Sequence, residues 1–247
     1  MALKFFHQKN WATLQVQGKD RMAFLQNLLT QDVAAMKTGD FAWSCLLTHK
    51  SKLIALMGVL VEEQHVVLCL SKQRLEEVLQ ILEMYTVIQD VHLVAQNQDV
   101  FFAVQDNKLS CTLIKPDTLM TEADFEICRM HLGFPYAGQD YADPIPWEVP
   151  FMHQAIALNK GCYVGQETIA RLYARGINVN RKLLQVESEN LLTIGDEVFC
   201  DDEVVGEMTS AAHDLDHYRG LCWVKRKAFQ KNLTVGDLKH CLLVQWH

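Results

Sequence analysis

The chain has 247 residues, of which 49% are hydrophobic, and it carries a formal net charge of −7. That much apolar surface supports a packed core and excludes a disordered chain, and the acidic balance disfavours nonspecific nucleic-acid binding, which needs a positive surface. We therefore expect no direct nucleic-acid partner. No apolar run is long enough to cross a bilayer, so we expect no membrane partner either.

The first thirty residues read as a strand followed by a helix. Residues 11–17 alternate in part between apolar and polar side chains, as a half-buried strand does. The Asp20 carboxylate can cap the next helix by accepting from its free amides. Met22, Leu25 and Leu29 would then lie on one helical face.

Three strands and a second helix follow. Residues 41–47 and 53–61 are apolar and flank the polar turn 48–52, and residues 65–70 resemble a third strand. Ser71 can cap the helix after it. The apolar stripe of this helix has four members: Leu75, Val78, Leu79 and Leu82.

The middle of the chain is less regular. Val91 and Leu93 indicate another strand, and the spacing of Thr121 and Asp124 resembles a capping box that opens a helix. Three residues form the apolar side of that helix: Phe125, Cys128 and Leu132. A proline-rich stretch follows, and a short helix is predicted from Gln166 to about Ala174.

Beyond Gly176 short apolar pieces alternate with turns, which is typical of a small all-β module that begins near Asn178. The pieces span residues 182–187, 196–200, 203–209, 220–225 and 242–246. The turn-like pairs are Gly195-Asp196, Asp201-Asp202 and Gly236-Asp237. The predicted fold class is therefore α+β, with an α+β domain over residues 1–177 and a β-barrel-like domain over residues 178–247.

The cysteines and the N-terminus predict a cytoplasmic location. Eight cysteines are present and none forms a C-x-x-C pair, so reduced thiols are the simplest interpretation. The N-terminal residues lack the long apolar stretch of a secretory signal and the Arg- and Ser-rich composition of a transit peptide.

The most informative segment is residues 160–171, KGCYVGQETIAR. Gly161 and Gly165 bracket Cys162, so the backbone can turn tightly there or approach a ligand closely. A cysteine just before a helix N-terminus is placed where free amides stabilise a thiolate, and Lys160 adds a positive neighbour. Cys162 is thus either a reactive or ligand-contacting thiol or a small buried residue in a tight turn.

This segment resembles the signature of the YgfZ family of folate-binding proteins, a family linked to iron–sulfur cluster maintenance and repair. Residues 18–33 resemble a stretch that YgfZ proteins share with the aminomethyltransferases, or T-proteins, of the glycine cleavage system. Residues 129–135, 145–148 and 204–210 resemble further parts of the same family.

The resemblance implies α+β subdomains around a central cavity that holds tetrahydrofolate or a folate derivative, with a small C-terminal β-barrel. It assigns Glu148 to the pterin, whose adjacent N–H and amino groups suit a carboxylate, and Arg181 to the anionic glutamyl tail. The implied cofactor contacts in the signature are Lys160, Gly161, Tyr163, Gly165 and Gln166. As alternatives, Arg181 makes an interdomain ion pair, and Glu148 caps a turn or faces water.

The chain departs from the T-proteins at their catalytic carboxylate. Ala55 and Leu56 occupy the matching positions, and an apolar group cannot stabilise developing positive charge. We therefore expect no glycine-cleavage aminomethyltransferase activity.

Three functions remain open. The first is a tetrahydrofolate-binding accessory protein that uses Cys162 in the synthesis, maintenance or repair of iron–sulfur enzymes, including those that modify tRNA. Its partners would be folate and the iron–sulfur assembly machinery or its client enzymes. The alternatives are a folate-dependent one-carbon transferase and a scaffold that has lost folate. His213 and His217 could lie one turn apart and bind a metal, but a solvated polar loop is favoured there, so no metal is predicted.

Overall fold

A computed structural model describes residues 3–236 and 240–245 of the chain. Asp237 and Trp246, which the sequence assigned to a turn and to a strand, lie outside the described residues. Within the part of the chain that the structure describes, no helix is long and apolar enough to span a membrane.

The chain divides into two compact units, which are described one at a time. The first consists of Met1–Met120 and Met152–Arg171, and the second of Thr121–Phe151 and Leu172–His247. The domain boundary between residues 177 and 178 stays a prediction.

The described part of the first unit contains two antiparallel sheets, two complete α-helices and the start of a third. Its strands are β1 (Lys4–His7), β2 (Trp11–Gln17), β3 (Phe41–Leu47), β4 (Leu53–Val61), β5 (His65–Ser71), β6 (His92–Gln96), β7 (Phe101–Gln105) and β8 (Lys108–Thr112). Its helices are α1 (Arg21–Leu28) and α2 (Lys72–Met84). The larger sheet has the order β3-β4-β5-β2-β6, and the smaller has the order β1-β7-β8. The strands predicted at 11–17, 41–47, 53–61 and 65–70 are confirmed.

Strand β2 is buried on both faces, so the predicted half-burial is wrong. On one face Leu14 and Val16 belong to the core that α1 and α2 cover. On the other face Trp11 packs edge-on against Trp43 at 5.8 Å and against Phe102 at 4.8 Å. Phe102 belongs to the smaller sheet, which therefore shields the face that the sequence pattern assigned to solvent.

The predicted side-chain caps of α1 and α2 do not form, although both helices begin where the sequence indicated. Neither Asp20 nor Ser71 makes a side-chain hydrogen bond to its helix. The Asp20 carboxylate instead accepts from the Asp90 amide at 2.9 Å, which ties the start of α1 to the segment before β6. A tertiary contact has replaced the local cap.

The β7–β8 hairpin was missed by the sequence prediction. Its two-residue turn consists of Asp106 and Asn107, which have φ angles of 49° and 57°. Asp and Asn tolerate this left-handed region, and positive φ at both central residues defines the turn type that joins tight hairpins. The dipeptide between two β-prone runs was the available signal.

The second unit contains a helix, a barrel and the end of another helix. Its strands are β9 (Arg181–Ser188), β10 (Glu197–Cys200), β11 (Glu203–Asp214), β12 (His217–Lys225), β13 (Leu233–Val235) and β14 (His240–Gln245). They close into a barrel in the order β10-β11-β12-β9-β14-β13. Helix α3 (Glu122–Leu132) is capped by the preceding Thr121, whose hydroxyl accepts from the Asp124 amide at 3.1 Å, as predicted. Helix α4 (Gln166–Ala174) has the predicted bounds and runs from the first unit into the second.

Candidate functional site

The segment before α4 forms a turn whose second glycine docks on the connection between β3 and β4. Gly165 has a φ of +80°, which glycine adopts without steric cost. A Cβ at this position would collide with the carbonyl oxygen of Thr48. The Ser51 hydroxyl donates a hydrogen bond of 2.5 Å to the Gly165 carbonyl oxygen. Glycine is required at position 165 because two segments of the protein meet there.

Lys160 reaches the C-terminal end of α1. Its ammonium nitrogen Nζ donates to the main-chain carbonyl oxygens of Gln26 at 2.7 Å, Leu29 at 2.6 Å and Gln31 at 2.8 Å. Burial lowers the pKa of Lys160 to about 8, although the nearby charge of Asp32 acts to raise it. Near neutral pH the side chain is therefore still mainly an ammonium with three protons to donate.

Main-chain bonds join the same two regions. The Val164 amide donates to the Asn27 carbonyl oxygen at 3.2 Å, and the Ala157 amide donates to the Thr30 carbonyl oxygen at 3.0 Å. The Thr30 hydroxyl donates to the Ala155 carbonyl oxygen at 2.6 Å. The last carbonyls of a helix have no partner within it. In α1, Lys160 supplies a partner for the carbonyl of Gln26, and the Val164 amide supplies one for the carbonyl of Asn27.

Cys162 lies on the open side of this turn and is exposed. A Cβ at neighbouring Gly161 would meet no atom within 4 Å. The alternative of a small buried cysteine is therefore wrong. Three residues separate Cys162 from the start of α4, which is the spacing that the predicted helix bounds gave. The buried thiols among the described side chains are Cys45, Cys69, Cys111, Cys200 and Cys222.

Tyr163 and Gln166 stabilise the turn from within. The Tyr163 amide donates to the Gln166 side-chain oxygen at 3.2 Å, and the Tyr163 ring centroid lies 5.0 Å from the Lys160 ammonium. Burial raises the pKa of Tyr163 to about 12, with a further contribution from nearby Cys45. The phenol is therefore neutral at physiological pH.

Ala55 and Leu56 are both buried in β4, with exposed fractions of 1% and 3%. Ala55 pairs with Leu46 and Leu56 with Cys45 on the neighbouring strand, and directly paired residues point to the same face of a sheet. Strand β4 carries no acidic residue. The loss of the T-protein carboxylate stays a prediction.

Glu148 and Arg181 form a pair in the second unit. Glu148 Oε2 accepts from the Ile145 amide at 3.1 Å and lies 3.6 Å from Arg181 Nε. Arg181 is 44% exposed, and its guanidinium lies 4.3 Å from the centroid of the Trp223 ring. The alternatives to folate contact are thus partly observed: Glu148 caps a turn, and Arg181 makes an ion pair, here with Glu148 in the same unit.

The sequence offered Trp223 only as one of three tryptophans, with Trp43 and Trp147, any one of which could stack on a pterin. The Trp223 indole nitrogen donates to the Asp140 carbonyl oxygen at 2.7 Å, which fixes the ring as a platform for the Arg181 guanidinium. An open groove of about 690 Å³ in this unit is lined by Arg181, Trp223, Asp140 and Lys225, among others. Lys225 pairs with Arg181 across β12 and β9, so correct strand pairing would have placed Trp223 diagonally opposite Arg181.

His213 and His217 stand at the end of the β11–β12 hairpin, where the sequence favoured a loop. Each ring has its own protein neighbour: His213 lies 4.7 Å from the Tyr218 ring, and His217 Nδ1 lies 3.7 Å from a Glu187 oxygen. In the described residues no three His, Cys, Asp or Glu side chains gather as a metal site would require.

The predicted site residues thus fall into two groups. The signature group in the first unit comprises Lys160, Gly161, Cys162, Tyr163, Gly165 and Gln166. The second unit holds Glu148 and Arg181 as an ion pair. Ser51 and Asn27, which hold the signature turn in place, had no sequence signal of their own.

Comparison with known proteins gives consistent matches. No model of a protein family matches the chain. An uncharacterized protein of Haemophilus influenzae is 23% identical over 90% of the chain and 88% of its own length. The tRNA-modifying protein YgfZ of Blochmanniella pennsylvanica is 24% identical over 80% of the chain and 78% of its own length.

A second group of relatives matches a shorter region. A mitochondrial iron-sulfur cluster assembly factor IBA57 homolog of Candida glabrata is 40% identical over 72 residues, which is 27% of the chain and 14% of that protein. Among solved structures, the glycine cleavage system aminomethyltransferase T of Bartonella henselae matches with a TM-score of 0.80 at 14% identity. That match covers 99% of the chain and 85% of the aminomethyltransferase, and it confirms the predicted α+β T-protein-like fold.

Proposed function

We propose that this chain, which is related to the YgfZ-type proteins and to the T-protein, binds tetrahydrofolate and supports the synthesis, maintenance or repair of iron–sulfur enzymes. The observation that carries the proposal is the exposed thiol of Cys162 on an anchored turn. It occurs in a chain similar to a tRNA-modifying protein and to iron–sulfur assembly factors. We propose a cytoplasmic location and clients that include tRNA-modifying iron–sulfur enzymes.

The pair in the second unit has the chemistry that a folate requires. A pterin presents an N–H and an amino group side by side, which a carboxylate can accept together. Glu148 Oε2 already accepts from the Ile145 amide at 3.1 Å, and an ionised carboxylate can accept further hydrogen bonds on both of its oxygens. Arg181 is partly exposed on its Trp223 platform, and guanidinium suits the carboxylates of the glutamyl tail. These residues therefore fit tetrahydrofolate, and Glu148 would orient the pterin while Arg181 holds the tail.

The apolar pair on β4 favours an accessory role over aminomethyl transfer. A folate-dependent transferase needs a charge that stabilises cationic character in the transition state. Ala55 and Leu56 present only hydrocarbon at the aligned positions. The folate is proposed to act as a bound cofactor, and Cys162 as the group that contacts the iron–sulfur substrate or its protein carrier.

Isothermal titration calorimetry with tetrahydrofolate under anaerobic conditions tests the folate part of this function. We expect saturable binding by the wild-type chain, weakened about tenfold or more by Glu148→Gln, since a charged acceptor is lost. The exposed Glu189→Gln is the matched control in the same unit. Absence of binding would reject the folate proposal, and release of a new folate species with an amine donor would favour the transferase.

Complementation in cells tests whether the proposed function requires the Cys162 thiol. In cells that lack the endogenous protein, Cys162→Ala and Cys162→Ser should leave the chain folded but lower the activity of an iron–sulfur-dependent tRNA-modifying enzyme. Full activity with both variants would reject a role for Cys162 while leaving folate binding intact.

A further inference from the structure

Lys160 occupies all of its donors within the protein. An ammonium group has three protons and no acceptor, and Nζ lies within 2.8 Å of three main-chain carbonyl oxygens. The fourth neighbour is the Tyr163 ring at 5.0 Å. No proton remains for a folate, although the sequence resemblance had placed Lys160 among the folate contacts.

The three acceptors lie at the C-terminal end of α1, where a positive charge interacts favourably with the helix dipole. Gln26 is in the last turn of α1, and Leu29 and Gln31 follow its end. The C-terminal end of a helix carries unpaired carbonyls and a partial negative charge. The Val164 amide occupies the next carbonyl, that of Asn27, so the side chain of Lys160 and the backbone of its turn cap α1 together.

We infer that Lys160 is a positioning residue that fixes the Cys162 turn on the C-terminal end of α1 and does not contact the folate. Gly165 holds the other end of this turn through Ser51. The backbone that carries the exposed Cys162 thiol is thus held on both sides. The biological consequence rests on the function proposed above, whereas the anchoring itself does not.

Amide hydrogen exchange of Val164 reports the anchoring directly. Lys160→Met keeps most of the aliphatic stem and removes the charge and the donors. At about pH 7, where Lys160 is still mainly charged, we expect the Val164 amide to exchange about tenfold faster or more in this variant. Lys50→Met, at an exposed lysine in the β3–β4 turn, is the matched control and should leave the rate unchanged. Unchanged Val164 exchange in Lys160→Met would overturn the inference.

Chemical rescue separates a donor role from simple packing. In Lys160→Ala, methylammonium should restore Val164 protection because it can donate to the vacated carbonyls, whereas tetramethylammonium has no N–H and should not. Equal rescue by both cations would overturn the inference. If the alanine variant does not fold, the exchange experiment on Lys160→Met decides, and unchanged Val164 exchange in that variant would refute the anchoring.

Folate binding distinguishes failure of this inference from failure of the proposed function. Lys160→Met should bind tetrahydrofolate within about twofold of the wild type while losing client-enzyme activity as Cys162→Ala does. A tenfold loss of affinity with unchanged Val164 exchange would make Lys160 a ligand and end the inference. If the wild-type chain binds no folate, the proposed function fails, and the exchange experiment still decides the role of Lys160.

Discussion

Arg129 Nη1 lies 2.9 Å from Asp140 Oδ2, and neither side chain is exposed to solvent. The Asp140 carboxylate also accepts from the Thr209 hydroxyl at 2.7 Å and from the Ser210 hydroxyl at 2.5 Å. The pair therefore joins α3, the irregular segment after it and barrel strand β11 within the second unit. Two of these three regions, α3 and β11, overlap segments in which the sequence resembles the YgfZ family.

Asp140→Ala should strongly destabilise the chain. Removing one partner of a buried ion pair leaves the other charge without compensation, which costs about 3–5 kcal/mol. Urea unfolding monitored by circular dichroism measures the loss. Asp143→Ala, at an exposed aspartate three residues later, is the control and should change stability by less than about 0.5 kcal/mol. Similar effects of the two substitutions would contradict the assignment.

The two signature glycines should behave differently. Gly165→Ala combines a positive φ with a collision against Thr48, so we expect a loss of about 2–4 kcal/mol in unfolding free energy. Gly161→Ala adds a methyl group in open space and should change stability by less than about 0.5 kcal/mol. Denaturant unfolding of both variants checks this. A folate affinity lowered by Gly161→Ala alone would support ligand contact at that glycine.

The strands and helices of the first unit were predictable wherever one pattern dominated. The turn at residues 48–52 separates two long apolar runs, and both strands lie at the predicted bounds. The cap of α1 was not predictable, because the Asp20 carboxylate bonds to Asp90, which is distant in sequence. The burial of Trp11 depends on a second sheet that the pattern of residues 11–17 alone does not encode.

The site was predictable as a segment but not as a set of roles. The signature pointed to Cys162, which is exposed as a contacting thiol must be. It could not show that Lys160 bonds to main-chain carbonyls, because any residue type supplies a carbonyl and Gln26 therefore leaves no trace in composition. The sequence could not select Trp223 from the other tryptophans, since its partner Arg181 lies on a neighbouring strand whose register the sequence did not give.

Native-state alkylation should separate Cys162 from the buried thiols. Burial raises the pKa of both Cys45 and Cys222 to about 12, and a thiol that is neutral and buried reacts slowly. With iodoacetamide at pH 8, peptide mass spectrometry should find Cys162 labelled first and Cys45 and Cys222 labelled only after unfolding. Labelling of Cys222 at the rate of Cys162 would contradict the structure.

The same burial predicts a loss of stability at alkaline pH. The Cys45 and Cys222 thiols titrate near 9.0 in the unfolded chain and near 12 in the folded chain. Below pH 9 both states keep these protons, whereas above it the unfolded state releases them first. Each thiol should then lower stability by about 1.4 kcal/mol per pH unit up to about pH 12. Urea unfolding at several pH values measures the slope, which Cys222→Ala should reduce by the share of one thiol.

Arg181 and Glu148 should affect different parts of a bound folate. Arg181→Lys keeps the charge but loses the planar fork that carboxylates favour and the flat face over Trp223. We expect it to weaken tetrahydrofolate binding about tenfold, or 1.4 kcal/mol, and to leave the binding of a tetrahydropterin without a glutamyl tail unchanged.

Glu148→Gln should weaken the binding of both ligands. Calorimetry with the two ligands measures this, with Arg175→Lys, at an exposed arginine, as the control. If Arg181→Lys weakened both ligands equally, the arginine would act by holding Glu148, from which it lies 3.6 Å, and not by binding the tail.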